Sequence, residues 1–194
     1  MKLGILGSTR GTSMQALLKA SAQHQVPLDI ALVLSDREKA PILERAKERA
    51  IPHFFIDKMG LTREAYDRQL TFQLERHAVD LVLLIGYMSI LSREFVHHWR
   101  HKVMNVHPSL LPLFAKGMDS HVHQAVLSAG STESGCSVHY VTEDIDAGPL
   151  IVQKKCMVLK EDTVETLKAR VQALEGEALL EAILQHENQC AYPI

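Results

Sequence analysis

Asn105 and His107 stand two residues apart in the run Met104-Asn105-Val106-His107-Pro108-Ser109-Leu110-Leu111-Pro112. In a strand, that spacing turns both side chains to one side. An amide donor beside an imidazole is what a carbonyl needs when an amine attacks it: the amide steadies the developing oxyanion and the imidazole manages protons. The segment points to acyl-type transfer. No Gly-x-Ser-x-Gly elbow is present and no cysteine lies near His107, so a covalent serine or cysteine nucleophile has little support and attack falls to the substrate. An Asn-x-His before proline also suits plain turn chemistry, and the motif alone leaves both readings open. Because a tight reversal is needed here, the Leu111-Pro112 bond is expected to be cis.

A second candidate is the loop Gly7-Ser8-Thr9-Arg10-Gly11-Thr12-Ser13. Its glycines let backbone N–H groups turn toward an anion, and the helix that follows adds the partial positive charge of its N-terminus. A phosphate fits. No lysine follows Gly11 and the Gly-x-Gly-x-x-Gly spacing is missing, so ATP and NAD both lose weight. The same residues also serve as ordinary turn and capping residues.

The elements that must position these groups alternate. Residues 2–6 read as a buried strand, 13–24 as a helix, 29–35 as a strand, 41–50 as a helix and 53–56 as a short strand. A helix over 63–77 places Tyr66, Leu70, Phe72 and Leu74 near helical spacing. Residues 80–85 form an uninterrupted apolar strand of the doubly covered kind. A short helix at 93–99 leads to a strand at 102–106. Then come a helix at 121–129, strands at 136–141 and 150–159 and, between them, the acidic turn Glu143-Asp144-Ile145-Asp146-Ala147-Gly148-Pro149, which is read as a lid loop. A long helix over 162–185, capped by Asp162 or Thr163, carries the stripe Val164, Leu167, Val171 and Leu174. The class is α/β: a mostly parallel Rossmann-like sheet flanked by helices, with ligands expected beyond the carboxyl ends of the strands.

Composition narrows the function. With 46% hydrophobic residues in 194, one domain with a sizeable core is expected over 1–194, in which 1–100 forms a phosphate-binding, nucleotide-fold half. A net charge of −2 gives no basic excess for a nucleic-acid backbone. No apolar run approaches the ~20 residues of a membrane span, and no cleaved leader is read. The cysteines Cys136, Cys156 and Cys190 are widely spaced, which suggests a reducing, cytoplasmic compartment and no zinc or disulfide framework. His97, His98 and His101 read as solvated, with no metal-ligand spacing. The charged cluster Glu44-Arg45-Lys47-Glu48-Arg49 reads as surface pairing on a helix.

Taken together, Gly11-Thr12-Ser13 with Gln15-Ala16, Gly86-Tyr87-Met88 before Ile90-Leu91-Ser92, the Asn105 to Pro112 string and Asp146-Ala147-Gly148-Pro149 resemble the phosphoribosylglycinamide formyltransferases, folate-dependent enzymes of purine synthesis. The resemblance runs over nearly the whole chain and implies the formyltransferase fold, with 101–194 as the catalytic and folate-binding half. It implies direct transfer of a formyl group from 10-formyltetrahydrofolate to an amine through a tetrahedral intermediate, without metal or covalent adduct. The catalytic residues it implies are Asn105, His107 and Asp146. Asp146 would favour the charged form of His107 and order a water that shuttles the proton, while Asp144 would face solvent. Gly11, Thr12 and Ser13 would hold the phosphate, and Gln172 and Glu175 would reach the acceptor, with Glu175 accepting from its ribose hydroxyls.

On the donor side the resemblance implies Arg63, Met88, Ser89, Ile90 and Leu91, together with Asn105. Ser89 stands where many members carry Arg. The stretch 113–120 looks longer than in some relatives, and His121 and His123 are left out of the catalytic set. His139 matches a frequent histidine, either bonding the Asp146 loop or acting directly. The partners implied are small molecules, with no nucleic acid or membrane, and the chain is expected as a monomer or homodimer. Sugar-amine or aminoacyl-tRNA acceptors are the near alternatives, although the resemblance leaves no room for the extra domain of the tRNA enzymes. An inactive nucleotide-binding relative is the distant alternative.

Overall fold

The computed structural model describes residues 1–23, 28–117 and 120–191. Apolar runs and helical stripes alternate as β1 (Lys2–Leu6), α1 (Thr12–Ala22), β2 (Asp29–Ser35), α2 (Pro41–Glu48), β3 (His53–Phe55), α3 (Arg63–Arg76), β4 (Leu81–Leu84), α4 (Arg93–His98), β5 (Val103–His107), α5 (Ser120–Ser128), β6 (Glu133–Tyr140), β7 (Leu150–Met157) and α6 (Val164–Ala191). The expected first-helix end at His24, Met118 and Asp119 of the 113–120 stretch, and the Cys190 side chain lie outside the described residues.

One seven-stranded sheet runs in the order β3-β2-β1-β4-β5-β6-β7. The first five strands pair in parallel, while β6 lies antiparallel to both β5 and β7. The chain reverses its direction of growth between β1 and β4, and a crevice opens at such a point beyond the strand ends. Parallel strands need cover on both faces, and the strand residues divide accordingly. Leu3, Ile5, Leu83 and Met104 face a core with α1, α2 and α6. Leu6, Leu34, Val82 and Val103 face another with α3 and α4.

Helix ends are set by local chemistry. Thr62 and Ser92 accept from the backbone N–H groups of Ala65 and Phe95, each at 3.2 Å, at the starts of α3 and α4. Thr163, rather than Asp162, caps α6: it exchanges hydrogen bonds with Thr166, while Asp162 takes a two-pronged contact from Arg170 at 2.6 and 2.8 Å. That helix continues past 185 to Ala191, and immediately after 185 His186 is buried, its Nδ1 2.8 Å from the Tyr140 hydroxyl.

One position departs from the expected helical stripe. Phe72 is 60% exposed. It lies two residues from both Leu70 and Leu74, a spacing that turns a helical side chain away from the face those leucines share. The Leu111–Pro112 bond is cis, as the turn predicts. Among the described residues no helix is long and apolar enough to cross a membrane.

Candidate active site

The carboxyl ends of β1, β4 and β5 open into one cleft. Its walls are the loop after β1, residues 84–91, residues 105–108, the 141–146 turn, and Gln172 and Glu175 of α6. Sequence alternation places Asn105 and His107 together on the Val103 face of β5, where the strand expires.

The antiparallel pairing of β5 with β6 then sets His139 directly across from Asn105. The His139 Nε2 lies 3.2 Å from the Asn105 amide nitrogen, and its Nδ1 lies 2.9 Å from the Tyr140 carbonyl. A neutral ring that donates from Nδ1 to Tyr140 accepts at Nε2 from Asn105. One amide hydrogen of Asn105 is thereby anchored and the other is left for the cleft. His139 therefore joins the site as well as approaching the Asp146 loop, its Nε2 standing 3.6 Å from Asp146 Oδ1.

Asp146 reaches the same point from the acidic turn. Its backbone is left-handed, with φ 55°, a conformation that Asp tolerates better than most residues. Oδ2 accepts from the Lys116 backbone N–H at 2.8 Å and lies 3.3 Å from His107 Nδ1. Asp144 is exposed, as expected. On its other side, His107 Nε2 lies 3.1 Å from the Phe114 carbonyl. Both ring nitrogens thus face oxygen acceptors, and a neutral ring can donate to only one of them.

Burial decides the resting charge. It pushes the His107 pKa down, against the Asp146 charge and the Phe114 hydrogen bond that push it up, and the net direction is below the ordinary value. Asp146 favours the charged form of this ring, in the expected direction, and the loss of water around an almost fully buried imidazole outweighs it. Burial also pushes the Asp146 carboxyl up. His139, His107 and the Lys116 amide more than offset this and hold it below its usual range.

At the other end of the cleft, Gly11 sits at the N-cap of α1 with φ 63°, and no side chain caps the helix. The first-turn amides and the helix dipole face the space where an anion fits. The Ser13 hydroxyl donates to Glu175 Oε2 at 2.6 Å, a contact buried between α1 and α6. Ser13 therefore offers an anion its backbone N–H. Thr12, Gln172 and Glu175 line the same cleft, as do Met88, Ser89, Ile90 and Leu91.

Arg63 is different: it is exposed at the start of α3 and is not among the cleft-lining residues. His123, left out by the sequence reading, is buried on α5 and lines the cleft, whereas His121 is exposed. Thr9 of the expected anion loop lines the cleft too, and Lys116 lines it unforeseen. His123 stands three residues before Val126, a helical spacing that hints at its burial. His97, His98 and His101 are exposed, and His98 meets Glu75 at 2.9 Å. Among the described residues no group of three or more His, Cys, Asp or Glu is arranged to hold a metal ion.

Fold and site define an α/β protein whose acid–base and oxyanion-type groups converge at the carboxyl edge of a mostly parallel sheet, beside an anion-ready helix start. Residues 1–183 match the formyl transferase family, and the chain belongs to that family. It is 39% identical over 176 residues to the phosphoribosylglycinamide formyltransferase of Escherichia coli K12, covering 90% of this chain and 82% of that protein. It is also 39% identical over 183 residues to the bovine trifunctional purine biosynthetic protein adenosine-3, covering 94% of this chain and 18% of that protein. The chain spans less than a fifth of the length of that relative and of its Drosophila pseudoobscura counterpart. The crystal structure of glycinamide ribonucleotide transformylase 1 from Symbiobacterium toebii superposes with a TM-score of 0.92 at 37% identity, covering 97% of this chain and 89% of that one.

Proposed function

We propose that this chain transfers the formyl group of 10-formyltetrahydrofolate to the amine of phosphoribosylglycinamide, giving the formylated product and tetrahydrofolate. One observation carries the reading: Asn105, His107, His139 and Asp146 converge in a cleft that ends at the first turn of α1. That arrangement matches a phosphorylated acceptor whose amine must meet a formyl carbon. The names of the relatives in E. coli and S. toebii support the same acceptor.

In this reading the acceptor phosphate takes the backbone N–H groups of Gly11 to Ser13, and Glu175 accepts from the ribose hydroxyls. Residues 88–91 line the donor side. The amine attacks the formyl carbon, and the Asn105 N–H not spent on His139 donates to the oxygen that becomes negative. The amine must then lose a proton and the leaving folate nitrogen must gain one. Both His107 ring nitrogens are turned to Asp146 and the Phe114 carbonyl, so the proton moves through a water ordered beside the His107–Asp146 pair: the water takes the proton that the amine loses and gives one to the leaving nitrogen as the old C–N bond breaks. The adjacent imidazole and carboxylate stabilise the charge that this transfer develops. Small polar substrates and unpaired Cys136 and Cys156 fit a cytoplasmic enzyme.

A tetrahydrofolate-release assay with phosphoribosylglycinamide, methionyl-tRNA or water as acceptor tests the proposal. Release that depends on phosphoribosylglycinamide is expected. Release at equal rates with methionyl-tRNA or with water alone would overturn it.

A further inference from the structure

Asp36 follows the end of β2 and is not among the residues lining the cleft. It is only 7% exposed, yet every contact treats it as an acceptor. Oδ1 accepts from the Ser8 hydroxyl at 2.6 Å, and Oδ2 accepts from the Ser89 hydroxyl at 2.7 Å and from Lys58 Nζ at 2.9 Å. Ser8 has one proton and gives it to Asp36, so its oxygen is left to accept the Met88 backbone N–H at 2.9 Å. Ser89 is held in the same sense, accepting from Lys58 at 2.9 Å while donating to Asp36. Two consecutive residues of the cleft wall therefore hang from one carboxylate, Met88 by its backbone and Ser89 by its side chain.

The same wall is fixed on either side of this attachment. Gly86, with φ 58°, packs against the Thr9 side chain so closely that a Cβ would collide with its hydroxyl, and its carbonyl accepts the Ser8 N–H at 3.1 Å. At the far end the Ser92 N–H donates to buried Asp67. Between these anchors the Asp36 assembly ties Met88 and Ser89 back to the end of β2 through side chains. Burial pushes the Asp36 carboxyl up, and the hydrogen bonds from Ser8, Ser89 and Lys58 bring it below its usual range, so it stays ionised at neutral pH. Lys58, with its side chain 53% exposed, supplies the countercharge.

We infer that Asp36 is a positioning residue for donor binding: through Ser8 and Ser89 it sets the wall at 88–89 against which the folate lies, without touching the ligand. The inference deepens the proposed function and rests on its assignment of that wall to the donor. A buried carboxylate holding two hydroxyls is a stiff support, because the hydrogen bonds to a charge are short and directional. Loss of it lets the wall relax and costs affinity for whatever the wall was shaped to hold.

Isothermal titration with tetrahydrofolate, beside steady-state kinetics for both substrates and thermal melting, tests this in Ser8→Ala, Asp36→Ala, Asp36→Asn and Lys58→Met. Ser8→Ala and Asp36→Ala are expected to weaken tetrahydrofolate and raise the donor KM by about tenfold, the scale of one charge-assisted hydrogen bond, with kcat and the acceptor KM within about twofold. Ser8→Ala combined with Asp36→Ala should lose little beyond the larger single loss, since the two side chains act as one relay. Asp36→Asn keeps an oxygen for Ser8 and loses the Lys58 and Ser89 contacts, so its loss should be intermediate.

Unchanged tetrahydrofolate affinity in folded Ser8→Ala and Asp36→Ala would overturn the inference, as would a raised acceptor KM with an unchanged donor KM. Should those two variants fail to fold, Asp36→Asn and Lys58→Met carry the test, and wild-type affinity in both overturns it. A wild-type chain that binds tetrahydrofolate but leaves phosphoribosylglycinamide unformylated would overturn the proposed acceptor alone, with the titrations still deciding the role of Asp36. A wild-type chain that does not bind tetrahydrofolate would overturn both.

Discussion

The Asn105 amide nitrogen stands 3.2 Å from Nε2 of His139, the residue directly across the β5–β6 ladder. Because the other nitrogen of that ring faces the Tyr140 carbonyl at 2.9 Å, the neutral tautomer turns the Asn105 amide so that its second hydrogen remains available. His139→Ala should release that orientation. We expect kcat to fall by about tenfold, the scale of one buried hydrogen bond, with both KM values changing less. Wild-type turnover in the variant would show that Asn105 is oriented by something else.

His107→Ala and Asn105→Ala should each be costlier. Removing a proton-transfer group lowers turnover by about 10²–10⁴-fold, and removing an oxyanion donor by about 10²–10³-fold. Titration of both substrates into the variants separates chemistry from binding. Variants that bind weakly yet turn over normally at saturation would move these residues from the reaction to recognition.

The pH profile should reflect a buried neutral imidazole. Burial holds the His107 pKa below its ordinary 6.5, so the neutral ring persists into more acid solution than a free histidine, and the acid limb of kcat should lie below pH 6.5. The same ring contributes to stability fully above the unfolded pKa, and that contribution is lost as pH falls from there through the lowered folded value. Asp146→Asn removes a charge that raises the ring's pKa. It should move the limb further toward acid and sharply reduce kcat, while Asp144→Asn, changed at an exposed side chain, should leave both alone. NMR titration of His107 in the two variants is the direct check. A damaging Asp144→Asn with a silent Asp146→Asn would contradict the geometry.

Glu175 accepts from the Ser13 hydroxyl at 2.6 Å and lines the cleft, where the proposed reading sets it against the acceptor's ribose hydroxyls. Glu175→Gln should raise the acceptor KM more than it lowers kcat. The dephosphorylated acceptor, which cannot use the first turn of α1, should react far more slowly than phosphoribosylglycinamide at equal concentration. Equal turnover of the two acceptors would remove the phosphate from that turn.

What the sequence by itself determined here is local. Apolar periodicity delimits β2 and nearly every other element, and period two puts Asn105 and His107 on one side of β5. The Gly11 turn marks an anion-ready helix start because only backbone geometry and the helix end are involved. Resemblance points to Asp146 rather than Asp144, and the fold leaves Asp144 exposed while it buries the Asp146 side chain against His107.

Other features depended on the tertiary structure. Strand register, which couples residues far apart in the chain, set His139 opposite Asn105. The packing of α1 on α6 joined Ser13 to Glu175 across 162 positions. The neutral resting state of His107 escaped the sequence because a pKa is set by the water excluded around the ring as much as by the charges beside it. Solvent exclusion and long-range register belong to the assembled fold, and no spacing along the chain encodes them in a form that can be read locally.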